Sequence, residues 1–197
     1  MRAILLISII AVILNTIGYI LYYFQMKRGD SEPKSVSWGM WSFLSILNFL
    51  SYREMTDLFL SLQFFSDAVL CVIIFFYAYF HKKFETWSIE NYEVAGLGLT
   101  SLIFWWQFKN AEYANMIICI CYMISFWPTL KEVWHKPNSE NPVSWYVCTF
   151  AYGFSILNVY LENSKFVDYL APVVLFLLHL VIAFFAKKKE IFESPVN

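Results

Sequence analysis

Two stretches of the chain, SEPKSVSW at residues 31–38 and SENPVSW at residues 139–145, carry almost the same run of polar residues followed by tryptophan. They are offset by 108 residues at Ser-Glu and by 107 at Val-Ser-Trp, a little over half of the 197-residue chain. Self-similarity at a fixed offset is typical of an internal duplication. We therefore expect two related halves, with this repeated phrase at the same place in each.

The composition predicts an integral membrane protein. Hydrophobic residues make up 59% of the chain and charged residues only 15%, which would leave large apolar patches on a soluble domain of this length. The net charge of −1 and the scattered basic residues do not favour a nucleic-acid partner. The first apolar run, 3–24, exceeds a typical secretory signal core and lacks a small-residue cleavage site, so we interpret it as a retained membrane span.

Apolar runs of about 17 to 25 residues predict seven membrane-spanning helices. The fourth run is the weakest, because it is short and carries Glu93 near one end. The seven predicted spans are 3–25, 36–52, 57–80, 92–108, 113–134, 143–161 and 166–186.

The basic residues predict the orientation of these spans. With seven spans, ten Lys and Arg residues fall on the side that holds the C-terminus and four on the side that holds the N-terminus. Basic residues are enriched in cytoplasmic loops, so we expect the N-terminus outside the cell membrane and the C-terminus in the cytoplasm. Without the fourth span, the two repeated phrases would lie on opposite faces although basic residues flank both.

The predicted fold is therefore an all-α, multi-pass membrane protein with two parallel three-helix bundles and a linker helix between them. Repeats joined by an odd number of spans are related by an axis along the membrane normal. We place the first repeat at 1–83, the linker at 84–112, the second repeat at 113–187 and a cytoplasmic tail at 188–197. In this arrangement each repeated phrase is the loop that leads into the middle helix of its bundle.

The second half resembles a known motif. Residues 122–134, YMISFWPTLKEVW, followed by a polar loop and the PVSW of residues 142–145, are similar to the PQ-loop motif, with Thr129 in place of its glutamine. The layout resembles the SWEET sugar carriers, the nicotinamide riboside transporters and the KDEL-type receptors, and nearly the whole chain resembles a family of uncharacterised bacterial seven-helix proteins. The resemblance implies a hinge at Pro128 for alternating access; a static kink is the alternative.

Two ionisable residues in the predicted spans are candidates for the functional site. Asp67 lies near the middle of the third span, with Gln63 one turn earlier on the same face, and His179 lies well inside the seventh. Such side chains are costly in a bilayer, by about 2.5 to 3.5 kcal/mol, and often mark substrate or proton pathways. We expect Asp67 and His179 to flank one central cavity; hydrogen bonding between packed helices is the alternative.

Aromatic and amide side chains supply further candidates for binding a small polar or heterocyclic substrate. The second and sixth spans each carry a stripe of such residues at spacings of three and four. Trp41, Asn48 and Asn158 lie deepest, so we assign them to the substrate site. Trp38 and Trp145 begin their helices and are expected in the aromatic belt at the membrane interface.

No motif of enzyme chemistry accompanies these residues. The sequence lacks paired carboxylates at catalytic spacing, a zinc-protease helix and a phosphate-binding glycine loop, and its four cysteines lie in apolar runs. We predict neither a catalytic residue nor a cofactor nor a metal. The favoured function is a carrier of a small metabolite, with proton coupling left open; a non-transporting receptor or assembly protein on the same scaffold is the alternative. Association into a homo-oligomer also stays open.

Overall fold

The computed structural model describes residues 2–81, residues 110–192 and eight single residues between 89 and 107. Those eight residues are all helical and exposed. Most of the predicted fourth span, 92–108, lies outside the described residues, as do the end of the predicted tail and most of the linker assigned to 84–112. Side chains after Lys187 are likewise not described.

The predicted all-α fold is confirmed for the described residues, which contain no strand. Their six long helices correspond to the six other predicted spans, with ends that differ by a few residues. Two short 3₁₀ turns, Pro137–Ser139 and Phe166–Tyr169, precede the last two helices. The helices are α1 (Arg2–Arg28), α2 (Ser35–Met55), α3 (Leu58–His81), α4 (Ala111–His135), α5 (Pro142–Leu161) and α6 (Leu170–Phe192).

The helices have the build of a multi-pass membrane protein. Four segments in the described part of the chain are long and apolar enough to cross a bilayer: α1, α3, α4 and Phe166–Lys187. The outer face of α1 exposes a continuous apolar stripe, whereas amide and hydroxyl side chains such as Asn15 and Ser8 are buried. Apolar surface outside and polar groups inside is the distribution that a lipid solvent favours. The stripe consists of Leu6, Ile9, Ile13, Ile17, Ile20 and Phe24.

Helices α2 and α5, which are 21 and 20 residues long, are not among the four segments long and apolar enough to cross a bilayer. Both carry tryptophan, serine and asparagine side chains on their buried faces, including Trp41, Asn48 and Asn158. These polar side chains therefore lie on the side that faces protein.

The six helices form a closed ring in the order α1, α3, α2, α4, α6 and α5. Within each half the third helix packs between its partners, since α3 contacts α1 and α2 while α6 contacts α4 and α5. The halves meet where α1 packs on α5 and where α2 packs on α4. The contacts among the three long helices of one half thus have equivalents in the other.

A glycine brings α1 and α5 close together. A Cβ atom on Gly18 would clash with Sγ of Cys148 and lie 3.4 Å from the carbonyl oxygen of Ser144 on the neighbouring helix. Helices in membranes commonly use such small residues where their backbones approach. Gly18 therefore sets the separation of α1 and α5 beside the middle of the ring.

The two repeated phrases meet at one end of the ring. The backbone N–H of Glu32 donates to the carbonyl oxygen of Ser139 at 2.8 Å, and the N–H of Asn141 donates to Oγ of Ser31 at 3.1 Å. Two ion pairs cross the same joint, Lys34 with Glu132 at 2.9 Å and Lys136 with Glu32 at 3.0 Å. These hydrogen bonds and ion pairs hold the two phrases together.

Candidate functional site: a cavity inside the helix ring

A cavity of about 30 Å³ lies inside the ring, with room for one or two water molecules. All six helices line it, and none of its lining residues is a lysine or arginine. The lining contains Gly18, Tyr19 and Tyr22; Trp38, Trp41 and Ser45; Asp67 and Cys71; Tyr122 and Phe126; Ser144, Trp145, Cys148 and Tyr152; and Leu175 and His179.

Asp67 is the carboxyl group of this cavity, and hydroxyl groups from two other helices hold it. The hydroxyl of Tyr19 on α1 donates to Oδ1 at 2.6 Å, and Oγ of Ser45 on α2 donates to Oδ2 at 3.2 Å. Ser45 also lies 2.9 Å from the hydroxyl of Tyr122 on α4. Because Asp67 is only 3% exposed, these contacts replace the water that a buried carboxyl group loses. The network thus links the first half to the second.

His179 on α6 lies between aromatic rings on the opposite half of the ring. Its centroid is 5.0 Å from that of Tyr152, 5.3 Å from Trp145 and 5.5 Å from Phe126. Nδ1 lies 2.8 Å from the carbonyl oxygen of Leu175. A carbonyl oxygen can only accept, so Nδ1 carries the hydrogen and Nε2 is left as the second polar atom of the ring.

Asp67 and His179 thus line the same cavity, from equivalent helices of the two halves. Among the described residues, no hydrogen bond or ion pair joins them directly. Groups on the wall of a shared cavity can act on one bound molecule without touching each other.

Five aromatic rings line the cavity and pack against one another, and we call them the aromatic cage: Tyr22, Trp38, Trp41, Phe126 and Trp145. The Trp41 ring lies 4.5 Å from Phe126, 5.1 Å from Trp38 and 6.1 Å from Trp145, measured between centroids. Trp38 and Trp145 are 5% and 4% exposed, so their assignment to an interfacial belt is wrong. They begin their helices, but the joined repeated phrases cover them on the outside.

Glu140 lies directly behind the aromatic cage. Its carboxyl oxygens accept from the hydroxyl of Tyr22 at 3.0 Å and from Nε1 of Trp145 at 3.1 Å. Nε1 of Trp38 donates to the same Tyr22 hydroxyl at 3.3 Å. Burial raises the pKa of Glu140 to about 7, and the hydrogen bonds from Trp145 and Tyr22 oppose that shift.

Sequence reasoning missed Glu140 as a site residue. The signal was present, since Ser-Glu occurs in both repeated phrases. Glu32, at the matching place in the first phrase, is exposed and pairs with Lys136. Only the packing of the two phrases determines which of the two carboxyl groups is buried.

The remaining predicted binding residues lie outside the cavity lining, although all are buried. Each forms a hydrogen bond across a boundary between the two halves of the ring. Hydrogen bonding between packed helices is the alternative to a role in substrate binding. The pairs are Gln63 with Ser155, Asn48 with Asn115 at 2.9 Å, and Asn158 with Ser8 at 2.6 Å.

Pro128, the predicted hinge, is buried inside α4 but does not line the cavity, and the helix continues for two turns beyond it to His135.

Nε1 of Trp41 has no hydrogen-bond partner among the described residues. Because Trp41 lines the cavity, a bound molecule is the natural partner for this donor. The hydroxyl of Tyr152 also lines the cavity and interacts with the carboxyl group of Asp67.

Searches against protein-family models, curated proteins and solved structures find no match to this chain. The described residues also contain no group of three or more His, Cys, Asp or Glu side chains placed to hold a metal ion. The functional proposal therefore rests on the geometry of the cavity.

Proposed function

We propose that this protein is a membrane carrier that moves a small polar metabolite through the cavity inside the helix ring. The observation that carries the proposal is the shared placement of Asp67 and His179 on that cavity, one from each half. A protein that needs only tight packing has little reason to keep a carboxyl group and an imidazole on the wall of a cavity in a bilayer.

The carrier is proposed to have seven spans arranged as two parallel three-helix repeats around a linker helix. The matching contacts of α1–α3 and α4–α6 support the repeats, and the meeting of both repeated phrases at one end supports a parallel relation. The helical, exposed residues between 89 and 107 support a peripheral linker. The basic-residue asymmetry supports a cell-membrane protein with its N-terminus outside.

In this proposal the cavity must widen before it can admit a substrate. About 30 Å³ accommodates water but not a metabolite, so substrate entry requires the halves to separate. Separation toward one side breaks the joint between the repeated phrases, including the bond from Glu32 to Ser139. Separation toward the other side breaks pairs such as Asn48 with Asn115. Alternating between the two openings is rigid-body rocking of repeats around a fixed site.

Transport is proposed to depend on protonation at Asp67. Its two oxygens accept hydrogen bonds from Tyr19 and Ser45, and a proton on either oxygen would change that network. The network reaches Tyr122 on the other half. Its rearrangement would therefore change the hydrogen bonds that join the two halves. The resemblance to PQ-loop carriers is consistent with this function and, like the function, stays a proposal.

The test has two stages on purified, full-length protein. Solutes of different chemical classes are first screened for a rise in melting temperature, since a ligand of the folded state stabilises it. Those that bind are then followed for uptake into proteoliposomes at several pH values. Asp67→Asn should abolish uptake or its pH dependence, and His179→Gln should do so more weakly.

Glu54→Gln is the matched control, because Glu54 is an exposed acid at the end of α2. Unchanged uptake and an unchanged pH profile in Asp67→Asn would contradict the assignment. Binding of a solute without any uptake would contradict the carrier and support a receptor.

A further inference from the structure

We propose that the molecule bound in this cavity is a small organic cation that carries an oxygen atom, held between the Asp67 carboxyl group and the aromatic cage. Transport of this cation rests on the proposed carrier function, whereas its binding does not and can be tested separately.

The first argument is charge. Asp67 is buried in the cavity wall, and no lysine or arginine lines the cavity to neutralise it. A second buried carboxyl group, Glu140, lies behind the cage and hydrogen-bonds two of its rings. An anionic substrate would meet these acids without a counter-charge, whereas a cation would supply the missing partner to Asp67.

The second argument is the aromatic cage. Its Trp41, Trp38 and Trp145 rings meet edge to face, with interplanar angles of 73° and 85° at Trp41. All three rings also line the cavity that holds the Asp67 carboxyl group. Several aromatic rings around one desolvated space are the composition of the aromatic cages that bind quaternary ammonium groups.

The third argument is an unsatisfied donor. The Trp41 indole N–H can only donate, and it has no partner among the described residues. An oxygen on the ligand would accept from Trp41. A neutral polyol such as a hexose would need partners for several hydroxyl groups, and much of the cavity's polar capacity is already used, since Tyr19 and Ser45 bond Asp67 and Ser45 also bonds Tyr122.

Choline and its neutral isostere 3,3-dimethylbutan-1-ol test the role of charge at constant shape. The experiment measures the melting temperature and dissociation constant of the full-length protein in detergent with methylammonium, choline, N-methylpyridinium, the isostere, glucose and lactate. We expect choline, the one cation of the three that carries an oxygen atom, to bind more tightly than methylammonium and N-methylpyridinium, and the isostere, glucose and lactate not to bind. Uptake of each solute into proteoliposomes is measured in parallel.

Two substitutions locate the cation. Asp67→Asn should abolish binding, and Trp41→Leu, which keeps apolar bulk but removes the ring, should weaken it about thirtyfold. Phe150→Leu is the matched control, because Phe150 is 62% exposed on the outside of α5, and it should leave affinity unchanged. A substituted protein that fails to fold shows no melting transition even without ligand. In that case Asp67→Glu replaces Asp67→Asn, and Trp41→Phe replaces Trp41→Leu.

The outcomes separate the two proposals. Binding and uptake of glucose or lactate, without binding of any cation, would overturn the proposed cation site and leave the proposed carrier function intact. Cation binding without uptake would keep the cation site and overturn the carrier. Equal binding of choline and its isostere, or binding of a cation that Asp67→Asn and Trp41→Leu leave intact, would overturn the cation site, as would the absence of binding by every solute.

Discussion

The backbone N–H of Glu32 donates a 2.8 Å hydrogen bond to the carbonyl oxygen of Ser139, so the two copies of the repeated phrase lie against each other. This bond and the ion pair between Lys34 and Glu132 fasten the halves at one end of the ring. The next residue after Ser139 is Glu140, whose carboxyl group supports the aromatic cage. The duplicated phrase therefore builds both the joint and the wall of the cavity that the joint covers.

Glu140 should make the stability of the protein depend on pH. Its pKa is raised by burial to about 7 from an ordinary value of 4.5, so the folded state binds the proton more tightly than the unfolded state. Its contribution is therefore complete below about pH 4.5 and falls as the pH rises to about 7, by about 3 kcal/mol in total. The charge of Glu132 acts in the same direction as burial, while Tyr22 and Trp145 favour the ionised form.

Glu140→Gln should remove this dependence, because the amide oxygen can still accept a hydrogen bond but cannot ionise. Thermal unfolding of both proteins between pH 5 and pH 8 is the measurement, and the variant should be the more stable of the two at pH 8. Glu32→Gln, at the exposed matching position, is the control and should keep the dependence. Parallel curves for wild type and Glu140→Gln would show that Glu140 is not the titrating group.

Gly18→Ala should destabilise the contact of α1 with α5. The added Cβ would clash with Sγ of Cys148, so the helices must move apart or the thiol must turn. Overpacking of this kind costs about 1 to 3 kcal/mol. Thermal unfolding of Gly18→Ala, Cys148→Ala and the double variant forms the test. The double variant should recover stability relative to Gly18→Ala, and simple addition of the two losses would contradict the contact.

The amide pair of Asn48 and Asn115 should affect stability without affecting substrate affinity, because it lies outside the cavity lining. Asn115→Ala removes one partner and leaves a buried amide on Asn48, with an expected loss of about 1 kcal/mol. Melting temperature and dissociation constant of a bound solute are measured on the same samples. A large fall in affinity with little change in stability would instead show that Asn48 belongs to the substrate site.

The two termini should lie on opposite sides of the membrane. Seven spans and the excess of basic residues on one side predict Met1 outside and Asn197 in the cytoplasm. Reporter fusions at each end, with activities that depend on the compartment, provide the measurement. Both termini on one side would contradict the seven-span arrangement and with it the linker helix at 84–112.

The amino-acid sequence by itself predicted the helices and their membrane environment. The length of each apolar run places helix ends such as Leu161 within a few residues, because a bilayer requires a fixed span of apolar residues and internally satisfied backbone hydrogen bonds. The cost of burying charge also drew attention to Asp67 and His179. Seven spans, the orientation and the parallel repeats stay predictions.

Only the tertiary structure decided which polar side chains share the cavity. Trp41, Ser45 and Asn48 follow one stripe of α2, yet the first two line the cavity and Asn48 pairs with Asn115 on α4. Helical spacing gives the face on which a side chain lies, whereas its partner depends on which neighbouring helix reaches that depth. Burial of Glu140 and exposure of Glu32 have the same cause, since two nearly identical phrases acquire different surroundings when the halves dock.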